Sequence, residues 1–316
     1  MWRNGWIILW MAGLGISPVF GCDLCGCYTA REARISKPGF FVGVYEQYTR
    51  FGSLQEDGRE VPNEAGQYLD SSITQFLAGY QFGDRLAVQF NLPLVHRAYR
   101  RPVEEGVETG AVSGLGDAAV TVRYRAFGRF ESDSTLLWHV LGGLKMPTGN
   151  SDRLLEELNE TEPGEGQPSG IHGHDLTLGS GSWDGMVGSM FYAHRGRIFG
   201  EAAVHYTFRS QGRIDYRFAN DLLWRLAPGV YLLQDHRRSL SVGVTVSGEA
   251  KGKDTFQGEK AEDTGMTSVL VGPEVGLTWR HTLDGMIGAD FPLILHNTSF
   301  QAVPDYRLRV AVVWRF

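Results

Sequence analysis

The sequence has few covalent staples and few long apolar runs. Its three cysteines all fall within six positions, Cys22, Cys25 and Cys27, so no disulfide can tie distant parts of the fold together. Beyond the first twenty-one residues no stretch holds 18 uninterrupted apolar positions, which excludes a membrane-spanning helix there. Basic residues are scattered as single arginines, and the formal charge of −6 with a pI near 5.9 leaves no surface for a polyanion. A nucleic-acid partner is therefore not expected. With 12 prolines the chain is neither collagen-like nor low-complexity. Catalytic signatures are missing too: no G-x-S-x-G elbow, no H-E-x-x-H, and no glycine-rich phosphate loop ending in Lys-Ser or Lys-Thr. His139, His194 and His205 have no spacing that makes them a catalytic set, and the chain reads as a non-enzyme.

Glycine, by contrast, takes 41 of 316 positions, and 12% of residues are aromatic; ordinary domains hold about 7% glycine. Such a chain is rich in turns. Residues 1–21 read as a secretory signal, with Arg3 at its positive end, an apolar segment over 6–16, and Val19-Phe20-Gly21 as the cleavable ending. Residues 22–38 then form a short segment bearing the thiols.

From Gly39 onward apolar residues alternate with polar ones or glycine, the period of a β-strand. In the last segment Tyr306, Leu308, Val310, Val312, Trp314 and Phe316 share one face, and Arg307, Arg309, Ala311, Val313 and Arg315 the other. Twelve such segments can be drawn, near 39–51, 70–82, 85–98, 116–128, 135–146, 184–194, 197–209, 217–232, 239–250, 266–280, 285–296 and 305–316. Brief connections alternate with mostly longer ones, at 52–69, 99–115, 147–183, 210–216, 251–265 and 297–304. An even strand number, short turns on one rim and long loops on the other predict a single all-β, antiparallel transmembrane barrel over 39–316, set in the bacterial outer membrane with both chain ends periplasmic. Closure leaves no unpaired backbone edge in hydrocarbon. The strand charges Glu46, Arg123, Arg125, Glu201, Arg209, Glu274, Arg307 and Arg309 are expected to line the lumen. A soluble β-sandwich is the competing fold; its polar faces are usually rich in lysine, which here is nearly confined to loops.

Three short motifs mark strand boundaries: Gly114-Leu115-Gly116-Asp117, Gly143-Leu144-Lys145-Met146-Pro147-Thr148-Gly149 and Leu178-Gly179-Ser180-Gly181-Ser182-Trp183-Asp184. In this order they resemble the motifs of the phenol meta-degradation (MetA-pathway) transporter family of outer-membrane proteins. Phe291-Pro292-Leu293 followed by Asp305-Tyr306-Arg307 is similar to that family's last two strands. The resemblance covers roughly 39–316 and implies a barrel that passes small hydrophobic or aromatic solutes. Read from the residues alone, the same motifs could be strand ends, bulges and turns. The C-terminal stretch ending in Phe316 resembles the signal read by the outer-membrane assembly machinery, which with membrane lipid and the solute completes the expected partners. A short echo, 91–96 against 290–296, places Pro93 and Pro292 in mid-strand before long loops, where they would loosen the wall.

Two further groups invite chemistry. Cys22, Cys25 and Cys27, at C-x-x-C-x-C spacing, could hold Cu(I) or Zn(II), form a local disulfide, or place a lipid on Cys22; a metal- or redox-linked outer-membrane protein is therefore the alternative function. His172-Gly173-His174-Asp175 could supply metal ligands, or simply be a polar loop. The same loop carries Asp152, Glu156, Glu157, Glu160, Glu162 and Glu165 against Arg153, and reads either as an acidic rim that enriches cations at the mouth or, more simply, as a solvated loop.

Overall fold

Alternation builds the wall. A computed structural model describes residues 38–103, 106–158 and 168–316; Cys22, Cys25, Cys27 and the signal segment lie outside them. Twelve antiparallel strands run β1 (Gly39–Glu56), β2 (Tyr68–Phe82), β3 (Leu86–Val103), β4 in two pieces (Gly106–Leu115 and Ala119–Phe130), β5 (Ser134–Lys145), β6 (Asp184–Arg195), β7 (Ile198–Phe208), β8 (Asp221–Gln234), β9 (Arg238–Lys251), β10 (Met266–Trp279), β11 (Leu283–Asn297) and β12 (Phe300–Arg315). Each pairs with the next, and β12 returns to pair with β1 from Phe41↔Arg315 to Glu56↔Phe300, closing the barrel. The first and last strands of the barrel begin and end on the short-turn rim, where the Phe316 amide donates to the Phe40 carbonyl at 2.9 Å.

The two faces separate as the period requires. On β12, Leu308, Val310, Val312 and Trp314 are exposed on the outside, while Arg309, Ala311 and Val313 are buried within. Exposed aromatics gather at two levels. Phe40, Phe82, Phe130, Trp314 and Phe316 lie toward the short-turn rim, and Trp183, Phe208 and Phe291 toward the other. This is an apolar belt between aromatic girdles, the exterior a bilayer demands.

Where the structure departs from expectation, strands are longer than their apolar alternation. The segment 99–115, expected as a loop, is mostly hairpin: β3 runs on to Val103, and the first piece of β4 pairs with it from Leu94↔Leu115 to Val103↔Gly106. The supposed loop 297–304 shrinks to residues 298–299 between β11 and β12. Past the membrane both faces meet water, so the hydrophobic signal fades while the backbone ladder continues.

One seam interrupts the wall. The β11–β12 ladder runs from Leu283↔Trp314 to Asp290↔Arg307 and stops. Above it, Phe291–Asn297 remains paired only with β10, across a bulge at Leu293, and Phe300–Tyr306 only with β1. Seven residues on each side thus leave an eye about 20 Å long at ~3.3 Å per residue. Pro292, which has no N–H to give, stands at its foot. Pro93, its echo, sits beside the break in β4, where Gly116 donates to the Pro93 carbonyl at 2.8 Å.

Candidate functional site in the barrel lumen

Seven of the eight charges expected in the lumen are there. Arg123, Arg125, Glu201, Glu274 and Arg309 are buried inside the wall, and Arg209 and Arg307 line the outer of two cavities in the lumen. Glu46 is a correction. It shares the outward face of β1 with the exposed Val42 and Val44, whereas Tyr45, Gln47 and Thr49 point inward. Its carboxylate is held on the outer wall by the hydroxyls of Ser72 and Thr74, which donate to it. Strand parity outranks side-chain polarity: one residue's shift along a strand reverses the face.

The lumen is divided at its waist by charges that satisfy one another. Arg225 reaches Glu201 at 3.2 Å and Glu274 at 2.5 Å, and Arg309 reaches the same Glu274 oxygen at 3.1 Å and Asp290 at 2.6 Å. Three carboxylates and two guanidinium groups so enclosed can stay charged only because each faces an opposite partner. Arg225 and Asp290 were not singled out in the sequence; parity with the inward Ala227 and Tyr231 would have flagged Arg225. Beside the network, Leu137, Leu141, Met190, Tyr192, Phe199 and Tyr231 fill part of the short-turn half with apolar side chains, the two phenol oxygens 2.7 Å apart. On either side of the waist lies a cavity. The outer one, about 230 Å³, is walled by Phe51, Leu69, Ile73, Val95, Ile171 and Met266 with Lys145, Arg209 and Arg307; the inner one, about 220 Å³, by Phe41, Leu77, Gln89, Arg123 and Val313.

Part of the segment between β5 and β6 folds inward and borders the outer cavity, and the three sequence motifs meet where it is held. Asp117 Oδ1 accepts from the Gly149 amide at 3.0 Å; Oδ2 accepts from the Ser180 amide at 2.8 Å, the Ser180 hydroxyl at 2.9 Å and Lys145 Nζ at 2.5 Å. Lys145 also pairs with Asp184 at 2.7 Å, and Asp184 with Arg209 at 2.9 Å. Thr148 Oγ1 accepts from the Ala118 amide at 2.7 Å and donates to the Gly116 carbonyl at 3.0 Å. Glycine is required where the backbones touch: a Cβ on Gly179 would lie 2.5 Å from Asp117 Oδ1 and 2.7 Å from Gly149 Cα. The motifs therefore form a clasp rather than independent turns. Further along, the Gly170 carbonyl accepts from the Ala302 amide at 2.9 Å, so this segment patches the inside of the seam.

The acidic rim does not form from the described residues. Asp152 pairs with Arg213, Glu156 with Arg101 and Arg153, and Glu157 with His174; Glu160, Glu162 and Glu165 lie outside the described residues. His172 and His174 stack with centroids 5.5 Å apart, and His174 lies against Tyr216 at 6.2 Å. Burial disfavours charge on His174, but the carboxylates of Asp175 and Glu157 hold its pKa well above the usual histidine value. Burial opposes ionisation of Glu157 too, yet the His174 cation lowers it to about 2. The roof of the outer cavity is thus an enclosed ion pair.

No family model matches the sequence, and no curated protein matches it. Among solved structures the fold is similar to that of the COG4313 outer membrane channel from Pseudomonas putida F1, at TM-score 0.59 and 18% identity over 88% of this chain and 96% of that one. The β domain of the Bordetella autotransporter BrkA matches at TM-score 0.44 and 8% identity, covering 88% and 99% of the two chains. The translocator domain of autotransporter NalP from Neisseria meningitidis matches at 0.42 and 10%, covering 91% and 92%. The fold is that of an outer-membrane β-barrel.

Proposed function

We propose that this chain is an outer-membrane channel for small apolar or aromatic solutes, with its short-turn rim and both ends of the barrel toward the periplasm. The observation that carries the reading is the seam between β11 and β12 beside an outer cavity whose wall sets apolar side chains such as Phe51, Ile73, Val95 and Met266 among charged and polar ones. A fully polar pore would need no such break in its wall. Solute enters the outer cavity from outside, held by Phe51, Ile73, Val95 and Met266. It leaves either through the waist or sideways through the seam, once the segment at Gly170 withdraws. The charged waist discourages apolar passage down the axis, because separating its buried ions from their partners is costly; the seam opens onto the lipid-facing Phe291, Leu293 and Ile294. The motif resemblance to phenol meta-degradation transporters, and the name of the Pseudomonas putida channel, support a channel of this class. The strand ending in Phe316 is read by the assembly machinery.

The test compares purified protein in planar bilayers and in liposomes. Uptake of a neutral aromatic such as toluene into protein-bearing liposomes, above protein-free vesicles, is the expected result. A barrel that neither conducts ions nor accelerates aromatic uptake overturns the proposal.

A further inference from the structure

We propose that the roof of the outer cavity is a binding site for a divalent transition metal, zinc by preference, with His172, His174 and Asp175 as ligands. One ring nitrogen from each histidine and one carboxylate oxygen of Asp175 lie within 4.8 Å of one another, and His174 Nε2 is already 3.5 Å from Asp175 Oδ1. Tetrahedral zinc with bonds of ~2.0–2.2 Å spaces its ligand atoms about 3.4 Å apart. The cluster therefore needs to contract by about 1.4 Å at its widest, within reach of side-chain rotation.

Three features separate this group from a chance polar loop. His172 Nδ1 is buried with Asp263 Oδ2 3.0 Å away, so a further carboxylate already stands beside this ring. Secondly, Glu157 Oε1 lies 3.0 Å from His174 Nδ1 and accepts from the His174 amide at 2.7 Å. That carboxylate fixes the ring and leaves Nε2 for the metal, the usual support behind a metal-binding imidazole. Thirdly, the donors are nitrogen and oxygen, a set that suits Zn(II), Cu(II) or Ni(II) and is poor for Cu(I). With Asp263 beside His172, the bound ion would join the inward-folded segment to the 252–265 connection and lock the roof over the outer cavity. The inference goes beyond the channel reading, since metal can bind whether or not solute passes.

Calorimetry with zinc chloride tests it, on untagged full-length protein in detergent carrying Cys22→Ser, Cys25→Ser and Cys27→Ser so that the thiols cannot contribute. The expected result is one zinc per chain, with affinity at least tenfold weaker in His172→Gln and in Asp175→Asn. Both substitutions keep size and polarity, and heat-modifiable migration on gels reports that the barrel is folded. Cobalt in place of zinc should show visible absorption of a tetrahedral nitrogen–oxygen site, lost in the same variants. No saturable zinc binding, or equal binding by parent and both variants, overturns the assignment.

Discussion

Replacing Asp117 with alanine should release the segment that roofs the outer cavity. Its carboxylate accepts from two backbone amides, one hydroxyl and one ammonium group within a buried pocket. Each buried donor left without a partner costs about 1–3 kcal/mol, and removing one member of a buried ion pair costs about 3–5 kcal/mol. These terms overlap, because Lys145 keeps Asp184 at 2.7 Å and a loosened segment lets water reach the amides. A net loss of about 3–5 kcal/mol is expected, and at 1.4 kcal/mol per factor of ten the ratio of docked to undocked segment falls by about two to three and a half orders of magnitude. The wall strands are untouched, so the barrel stays folded. Two measurements follow from one preparation: the rate of protease nicking within residues 147–183, and the ion conductance in a planar bilayer. Both should rise. Asp117→Asn, which keeps an acceptor oxygen but not the charge facing Lys145, should fall between the alanine variant and the parent. If Asp117→Ala is folded and neither nicking nor conductance changes, the clasp does not hold the segment and the reasoning fails.

Gly179→Ala should reproduce the Asp117→Ala phenotype, since the new methyl would sit 2.5 Å from Asp117 Oδ1; the same nicking assay decides. Glu274→Ala leaves Arg225 and Arg309 short of a shared anion, so urea unfolding in vesicles should show a loss of about 3–5 kcal/mol, and reversal potentials should shift toward anion selectivity. Glu46→Leu, on the outer wall, should leave conductance unchanged and stability equal or higher by up to ~2 kcal/mol, because a carboxyl group leaves lipid; a conductance change would return Glu46 to the lumen. Pro292→Val restores an N–H to the foot of the seam and should reduce aromatic uptake into liposomes while sparing ion conductance; unchanged uptake would close the sideways route.

Much of the wall was legible. Tyr306 to Phe316 announces its two faces residue by residue, and the five short turns appear where Gly83, Gly196 and their neighbours place them. The lumen charges followed from the same alternation except at Glu46, where counting from Val42 and Val44 gives the right face. The clasp was half legible. The motifs stood out, but nothing in their spacing says that Asp117, Lys145 and Ser180 share one pocket. His172 and His174 were visible as a pair; Asp263, brought beside them from a connection some ninety residues on, was not.

By itself, the sequence determined that this chain makes strands, which face of most strands meets lipid, and which rim carries the long loops. A period of two is a local property, readable without knowing any neighbour. Only the tertiary structure decided that Arg225 meets Glu274, that β11 parts from β12 above Asp290, and that three separated motifs hold one segment inside the lumen. Those contacts depend on the register of strands around a closed cylinder, and register is fixed by the whole circuit of pairing rather than by any one strand.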